Sequence, residues 1–560
     1  MKLNLWIFTC SITLLLHGCS GTKEVYIDNN ETIQSNIRKH IQFLASDALE
    51  GRETGSAGEL AAANYVADRF KAAGLQPKGT KKYLQPFPFT SGATYGTATQ
   101  LYINDDKYTA PTDFYPLPLS ANKVVTAFVA RVGYGIYAPA LQQDDYKGKT
   151  NIVKKIFVID AGSPDGNNPH GKFAEYDLNW RVTYAISRGA VAVVFITNDS
   201  TDVKADFKIR TSSLSIPVIF ARGKAAAALQ NAVILNCTVG AEIIPTIKTG
   251  HNVLGYIDNK KATTVVIGAH LDHLGYGHEG SLHRGEKAIH NGADDNASGT
   301  ATIIELAKFF KSGKAANNNY LFIGFSGEEK GLLGSNYFIK NPTIPKSKIN
   351  YMINLDMVGR INPSDPKLQI HGSGTSPIFA MAIDTNGMNG LPIATVPSGV
   401  GPSDHTSFYL DSIPALHFFS GTHSDYHKPS DDENLINYDG TLRVFKTITQ
   451  IIIGLNNKGK APYVKTKDEN MSEKMSFKVT LGVVPDYSFT GEGMRIDGVS
   501  EGKPAAKAGL LKGDVVIQLG SQLITDMQTY MKALGKFSKG ETTTVKVKRG
   551  TDTVEKAITF

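Results

Sequence analysis

Four uninterrupted apolar runs constrain this chain more than any other feature: Thr264-Val265-Val266-Ile267, Tyr320-Leu321-Phe322-Ile323, Tyr351-Met352-Ile353 and Ile413-Pro414-Ala415-Leu416. A strand with one wet face alternates polar and apolar residues, whereas an unbroken run needs cover on both faces, as in a parallel sheet between helices. The proline of the last run belongs near a strand start or on an edge. Between the first two runs, Asn296 or Ser298 can cap a helix whose apolar positions Ile303, Ile304, Ala307 and Phe310 recur at helical spacing. Further upstream, Thr32 to Lys71 reads as helical, with Ile41, Phe43 and Leu44 on one side. A Gly/Ser interruption follows from Gly51 to Gly58, and a second helix runs from Ala61 to Phe70 and stops near Gly74. The expected fold is α/β, a mixed and mostly parallel sheet covered by helices, drawn from residues 34–109 and 245–456.

With 560 residues the chain exceeds what one core organises, so further units are expected. Residues 110–244 change texture: short apolar runs such as Lys155-Ile156-Phe157-Val158-Ile159 and Val191-Ala192-Val193-Val194-Phe195-Ile196 flank a helical stretch around Ala185. Tyr134-Gly135-Ile136, Asp144-Asp145-Tyr146-Lys147-Gly148-Lys149, Gly189-Ala190 and Ile216-Pro217-Val218 make this segment resemble the protease-associated domain. The resemblance implies a small α/β unit inserted into a peptidase, with no chemistry of its own. A polar linker, 457–475, precedes residues 476–560, which resemble a PDZ domain of β type. Leu481-Gly482-Val483-Val484 matches its carboxylate-binding loop, and Pro504 to Leu510 and Lys512 to Val516 match its helix and following strand. The implied partners are the C-termini of peptides, taken by backbone donors and strand addition.

The N-terminus reads as an export signal over residues 1–19, followed by a tether, 20–33. Lys2 precedes a mostly apolar run, Leu3 to Leu16, too short to span a membrane as a helix. Leu16-His17-Gly18-Cys19 resembles the processing box of bacterial lipoproteins, which implies a lipid on Cys19 and a protein held at the outer membrane facing the periplasm, or at the cell surface. Cys10 would leave with the signal, so Cys237 alone would remain in the folded body as a buried thiol, and no internal disulfide forms. The net charge of +7 is spread along the chain without a dense Lys/Arg block, so no nucleic-acid partner is expected.

Reactive side chains gather where the strands end. His270 and Asp272 follow the first run, Asp294 and Asp295 precede the capped helix, and Glu328 and Glu329 follow the second run. Asp356 follows the third, and His427 lies in the loop after the fourth. Open α/β sheets build their sites at the carboxyl ends of strands. Five segments carrying carboxylates and imidazoles to one edge would be costly to desolvate without cations. Asp295, Glu329 and Asp356 supply three negative charges, and a bridging hydroxide a fourth, which two dications neutralise. The mixed donor set suits zinc, with cobalt or manganese as substitutes. Asp272, two residues beyond His270, is placed to orient that imidazole.

His270-Leu271-Asp272, Gly292 to Gly299, Ser326-Gly327-Glu328-Glu329, Asn354-Leu355-Asp356-Met357 and Tyr426-His427-Lys428-Pro429-Ser430-Asp431 together resemble metallopeptidase family twenty-eight. The match extends to Leu44 to Asp47 and to Leu49-Glu50-Gly51-Arg52. The resemblance implies a pair of zinc ions, with His270 and Asp356 on one, Glu329 and His427 on the other, and Asp295 bridging. Asp294 becomes a neighbour, Glu328 the general base, and Tyr426 a donor to the oxyanion. The implied activity is hydrolysis of the N-terminal peptide bond of peptide substrates. A carboxypeptidase or dipeptidase on the same centre, and a binding protein on the same fold, stay open as alternatives. His273, His278, His283, His290, His371, His405, His417 and His423 read as loop or packing residues, with His423 the residue most readily mistaken for His427. A serine hydrolase is excluded: the G-x-S-x-G string Gly498 to Gly502 has no histidine after it.

Overall fold

The computed structural model describes residues 29–166, 172–173, 175–197, 214–231, 236–283, 285–466, 479–485, 492–499, 502–525, 527–537 and 540–560. The leader with Cys10 and Cys19, tether residues 20–28, linker residues 467–475 and Ser500 lie outside them, and tether residues 30–33 belong to the first helix.

The apolar runs become strands of one nine-stranded sheet: β1 (Gln76–Pro77), β2 (Leu84–Tyr95), β3 (Ile243–Ile257), β4 (Thr264–His270), β5 (Asn319–Phe325), β6 (Ile349–Leu355), β7 (Leu368–His371), β8 (Ile393–Val396) and β9 (Ala415–Phe419). Their order is β1–β3–β5–β4–β6–β9–β7–β8, with β2 also on β3. The four central strands, β5, β4, β6 and β9, run parallel. Every residue of β4, β5 and β6 is buried, as unbroken apolar runs require. Pro414 stands just before β9, where its missing N–H costs the ladder nothing.

Helices cover both faces: α1 (Asn30–Leu44), α2 (Ala57–Ala72), α3 (Gly299–Lys311) and α6 (Tyr438–Leu455) on one, α4 (Leu333–Lys340) and α5 (His405–Leu410) on the other. The alternation of strand side chains divides the core accordingly. Val265, Ile267, Tyr320, Phe322, Tyr351 and Ile353 pack beneath the first set, while Val266, Leu321, Ile323 and Met352 join Phe338 and Phe408 of the second. Asn29 and Ser56 cap α1 and α2 by accepting from Glu31 N and Glu59 N at 2.8 and 3.1 Å. At α3 the capping oxygen is Asn296 Oδ1, 2.9 Å from Gly299 N, while Ser298 donates to the Asp294 carbonyl instead.

Between β2 and β3 the described residues build three further sheets, the smallest a pair of Tyr137–Ala138 with Gln143–Asp144. Of the larger two, one orders strands Phe114–Pro116, Val218–Ala221, Ala192–Ile196, Ile156–Asp160 and Val129–Arg131; the other orders Asp106–Tyr108, Gln100–Ile103, Cys237–Ala241 and Lys123–Ala127. Cys237 is buried there, and burial pushes its thiol up to about 12, which leaves it protonated and inert. The C-terminal unit is an antiparallel sheet with helices Pro504–Lys507 and Met527–Leu534 around its own core of Leu481, Ile496, Val516, Leu519, Val545 and Val547. Leu481 accepts from Ala505 N at 2.8 Å, Gly482 takes φ +77°, and Val483 and Val484 begin the strand paired with Gly498 and Val499.

Candidate metal centre

Sheet register brings the reactive residues level. His270, the last residue of β4, pairs with Phe325, the last of β5, and Gly268 pairs with Asn354, two residues short of Asp356. The segments beyond those ends therefore emerge at one edge. Asp295 reaches that edge from the loop entering α3. Asn296 fixes this loop: its Nδ2 donates to the Leu355 carbonyl at 2.9 Å, and its Oδ1 accepts from Met357 N at 3.2 Å. A Cβ on Gly299 would lie 2.3 Å from Asn296 Oδ1, so glycine is required where the loop closes.

The structure brings all five expected donors together. Asp295 presents Oδ1 to His270 Nε2 at 3.3 Å and Oδ2 to His427 Nε2 at 3.2 Å. Asp356 Oδ1 lies 3.1 Å from His270 Nε2, and Glu329 Oε2 lies 3.4 Å from His427 Nε2. Two donors on one tetrahedral zinc, each about 2.0–2.1 Å from the ion, stand about 3.3–3.4 Å apart. The four separations fall close to that spacing, and the donor types are those zinc takes.

Both imidazoles are aimed. Nδ1 of His270 meets the Asp272 carbonyl at 3.2 Å, and Nδ1 of His427 meets the Gly280 carbonyl at 2.9 Å. Carbonyls accept only, so each Nδ1 carries a proton and Nε2 faces the carboxylates. Leu282 N donates to the His427 carbonyl at 2.9 Å, so the turn around residue 280 grips residue 427 at both backbone and ring. Burial pushes the His427 imidazole down, but Glu329 and Asp295 outweigh it and raise it to about 11. Such a nest of negative charge calls for cations.

Asp272 orients His270 through its carbonyl. Its carboxylate, 3.8 Å from Nδ1, instead accepts from Thr54 Oγ1 at 2.8 Å and from Glu328 N at 3.2 Å, anchoring the turn that carries the two glutamates. Glu328 is half-buried, and burial, reinforced by Asp356, Glu329 and Asp404 against His270, holds its carboxyl well above the usual range. Tyr426 stacks on His427, ring centroids 3.9 Å apart. Burial first, then the charges of Asp295, Glu329, Glu328 and Asp356, keep its hydroxyl protonated.

Residues outside the five-donor set complete the surroundings. His423 lies 3.3 Å from Asp294 Oδ2, away from the donor cluster, which separates it from His427. Asp294 accepts from Gly359 N at 2.6 Å and Ser298 Oγ at 3.0 Å, a neighbour that shapes the loop. Asp431 accepts from Asp294 N and Asp295 N, both at 3.0 Å. His273, read from sequence as a loop or packing residue, sits with Nδ1 2.8 Å from Glu329 Oε1. Arg52, 1% exposed, donates to the carbonyls of Leu44, Leu271, Asn291 and Gly292 and places its charge among Asp272, Asp295, Asp431 and Glu329. For Arg52 and Asp431 the sequence signal was the run Leu49 to Arg52 and the closing Asp431 of the histidine motif, which carried no assigned role.

Behind Asp356, Asn354 Nδ2 donates to Ser403 Oγ at 2.8 Å and to His417 Nδ1 at 3.2 Å. His405 stacks on His417 at 4.5 Å, and burial lowers it to about 3. These imidazoles are neutral packing groups.

Known proteins are similar to this chain in sequence. Aminopeptidase YwaD of Bacillus subtilis (strain 168) is 24% identical over 503 residues, covering 85% of this chain and 98% of that protein. A probable leucine aminopeptidase of Arthroderma otae is 31% identical over 173 residues, and there the chain spans 45% of the relative's length. The solved aminopeptidase from Aneurinibacillus sp. strain AM-1 superposes with a TM-score of 0.42 at 25% identity, covering 78% of this chain and 97% of that one. Residues 467–559 match the PDZ domain. The segment that bears His270, Asp295, Glu329, Asp356 and His427, residues 252–452, matches the model of Peptidase family M28.

Proposed function

We propose that the chain is a zinc-dependent exopeptidase that removes the N-terminal residue of peptides. The observation that carries this reading is Asp295, whose two oxygens face two different imidazoles at 3.2–3.3 Å, each imidazole also facing a second carboxylate. His270, Asp356 and Asp295 would hold one zinc ion, and His427, Glu329 and Asp295 the other. Bound there, two dications supply Lewis acidity, which polarises a carbonyl and acidifies water. Glu328, beside Glu329 on the turn that Asp272 anchors, takes the proton of the attacking water and returns it to the departing amine. Tyr426, packed on His427, donates its hydroxyl hydrogen to the oxygen that gains charge. The relatives' printed names support the aminopeptidase polarity.

The flanking parts follow the same reading. The unit between β2 and β3 is a protease-associated domain that contributes none of the five donors, the C-terminal unit offers its Leu481 to Val484 loop to peptide C-termini, and Cys19 carries a lipid that holds the exported enzyme at a membrane. Purified protein assayed on free and N-blocked peptides, with chelator and after zinc return, tests the function. Cleavage of free peptides alone, lost on chelation and restored by zinc, supports it. Release of C-terminal residues from blocked peptides would make the enzyme a carboxypeptidase, and a zinc-loaded protein without cleavage would make it a binding protein.

A further inference from the structure

His273 stands apart from the five donors by its spacing. The imidazole–carboxylate separations at the two candidate zinc positions are 3.1–3.4 Å, those of donors sharing a tetrahedral ion, whereas His273 Nδ1 lies 2.8 Å from Glu329 Oε1, the length of a direct hydrogen bond and shorter than that spacing. The nearest Asp295 oxygen is 3.9 Å from the same nitrogen, beyond bonding. A carboxylate oxygen only accepts, so Nδ1 carries the proton. Nε2 is buried without a hydrogen-bond partner among the described residues, which an imidazole lone pair tolerates better than a buried N–H would. The ring is wedged: a Cβ on Gly292, at φ +57°, would lie 2.5 Å from His273 Cδ2. Its backbone is tied as well, His273 N donating to the Arg52 carbonyl at 3.2 Å.

We infer that His273 is a positioning residue for the second zinc: its Nδ1–H holds Oε1 of Glu329, so that Glu329 offers a single oxygen, Oε2, to the ion it shares with His427. The inference rests on the zinc reading above and adds a donor that the five-residue set does not contain. An outer partner of this kind orients its ligand and typically contributes 10–100-fold in metal affinity.

The test is zinc titration of the full chain against a chromophoric chelator, for wild type, His273→Ala and His273→Asn. The asparagine Nδ2 can occupy the place of Nδ1 and donate as it does. We expect His273→Ala to weaken one of the two zinc sites about 10–100-fold and leave the other unchanged, with His273→Asn within about threefold of wild type. Equal weakening in both variants would make His273 a ligand and overturn the inference. So would unchanged binding in both, or loss of both sites in His273→Ala. A wild-type chain that binds no zinc would sink the zinc reading itself and this inference with it, an outcome distinct from zinc-binding variants that match wild type.

Discussion

Replacing Arg52 by Met keeps the length of an apolar stem and removes the guanidinium. Four carbonyls from three segments then lose a charged donor, and the Gly292 carbonyl alone among them keeps Ala297 N, at 3.2 Å. Those of Leu44 and Leu271 belong to buried residues. An unsatisfied buried acceptor costs about 1–3 kcal/mol, so the two together cost roughly 2–6 kcal/mol, centred near 4. At 1.4 kcal/mol per decade, that centre is about three decades in the opening equilibrium of this sheet. Fluorescence would miss the effect, since Trp180, the chain's tryptophan beyond Trp6, sits in the unit between β2 and β3. Hydrogen exchange read by mass spectrometry on peptides covering β4 and β6 measures it directly. Protection there should fall by about two to three decades in chelator, with smaller loss in the C-terminal unit as an internal control. A fall of less than tenfold in β4 and β6 would refute the view that Arg52 ties these loops together.

Three further outcomes are expected. Glu328→Gln should lower kcat about 10²–10⁴-fold while zinc content, measured by elemental analysis, stays at the wild-type value. Zinc content should separate the bridging from the terminal donors, Asp295→Ala losing both ions and His427→Ala one. Stability should fall in acid through His405. Its folded pKa, about 3, is depressed below the ordinary 6.5, so the unfolded chain binds the extra proton. That contribution is whole above pH 6.5 and is lost as pH falls toward 3, by roughly 1.4 kcal/mol per unit within the window. Melting temperature against pH for wild type and His405→Phe checks this, the variant showing the shallower decline.

The sheet was legible because its strands are buried on both faces, so Val265 to Ile267 and Leu321 to Ile323 advertise themselves without alternation. Four of the donors were legible because each follows such a run, and Asp295 because it precedes the capped helix. His273 and Arg52 were not. His273 meets Glu329 because His270 pairs with Phe325, which sets residues three and four beyond those ends side by side; only the register carries that information. Arg52 works through backbone carbonyls of distant loops, which leave no imprint on residue type. The oxygen that caps α3 belonged to Asn296 because Ser298 was committed to Asp294, a competition settled by tertiary contacts.

The place of β9 sets the order in which the centre can assemble. This strand is the last of the sheet to be synthesised, yet it lies inside, between β6 and β7. Until residue 419 has emerged, the apolar flank of Tyr351, Met352 and Ile353 has no neighbour on that side, and β7 with β8 has nothing to dock on. A nascent chain therefore carries an open, sticky ladder from the emergence of β6 until residue 419 is made, which favours holding by chaperones during synthesis. The imidazole of residue 427 arrives only after that gap is filled, so the position it would share with Glu329 and Asp295 forms after the sheet is complete, whereas His270, Asp295 and Asp356 are all present before it.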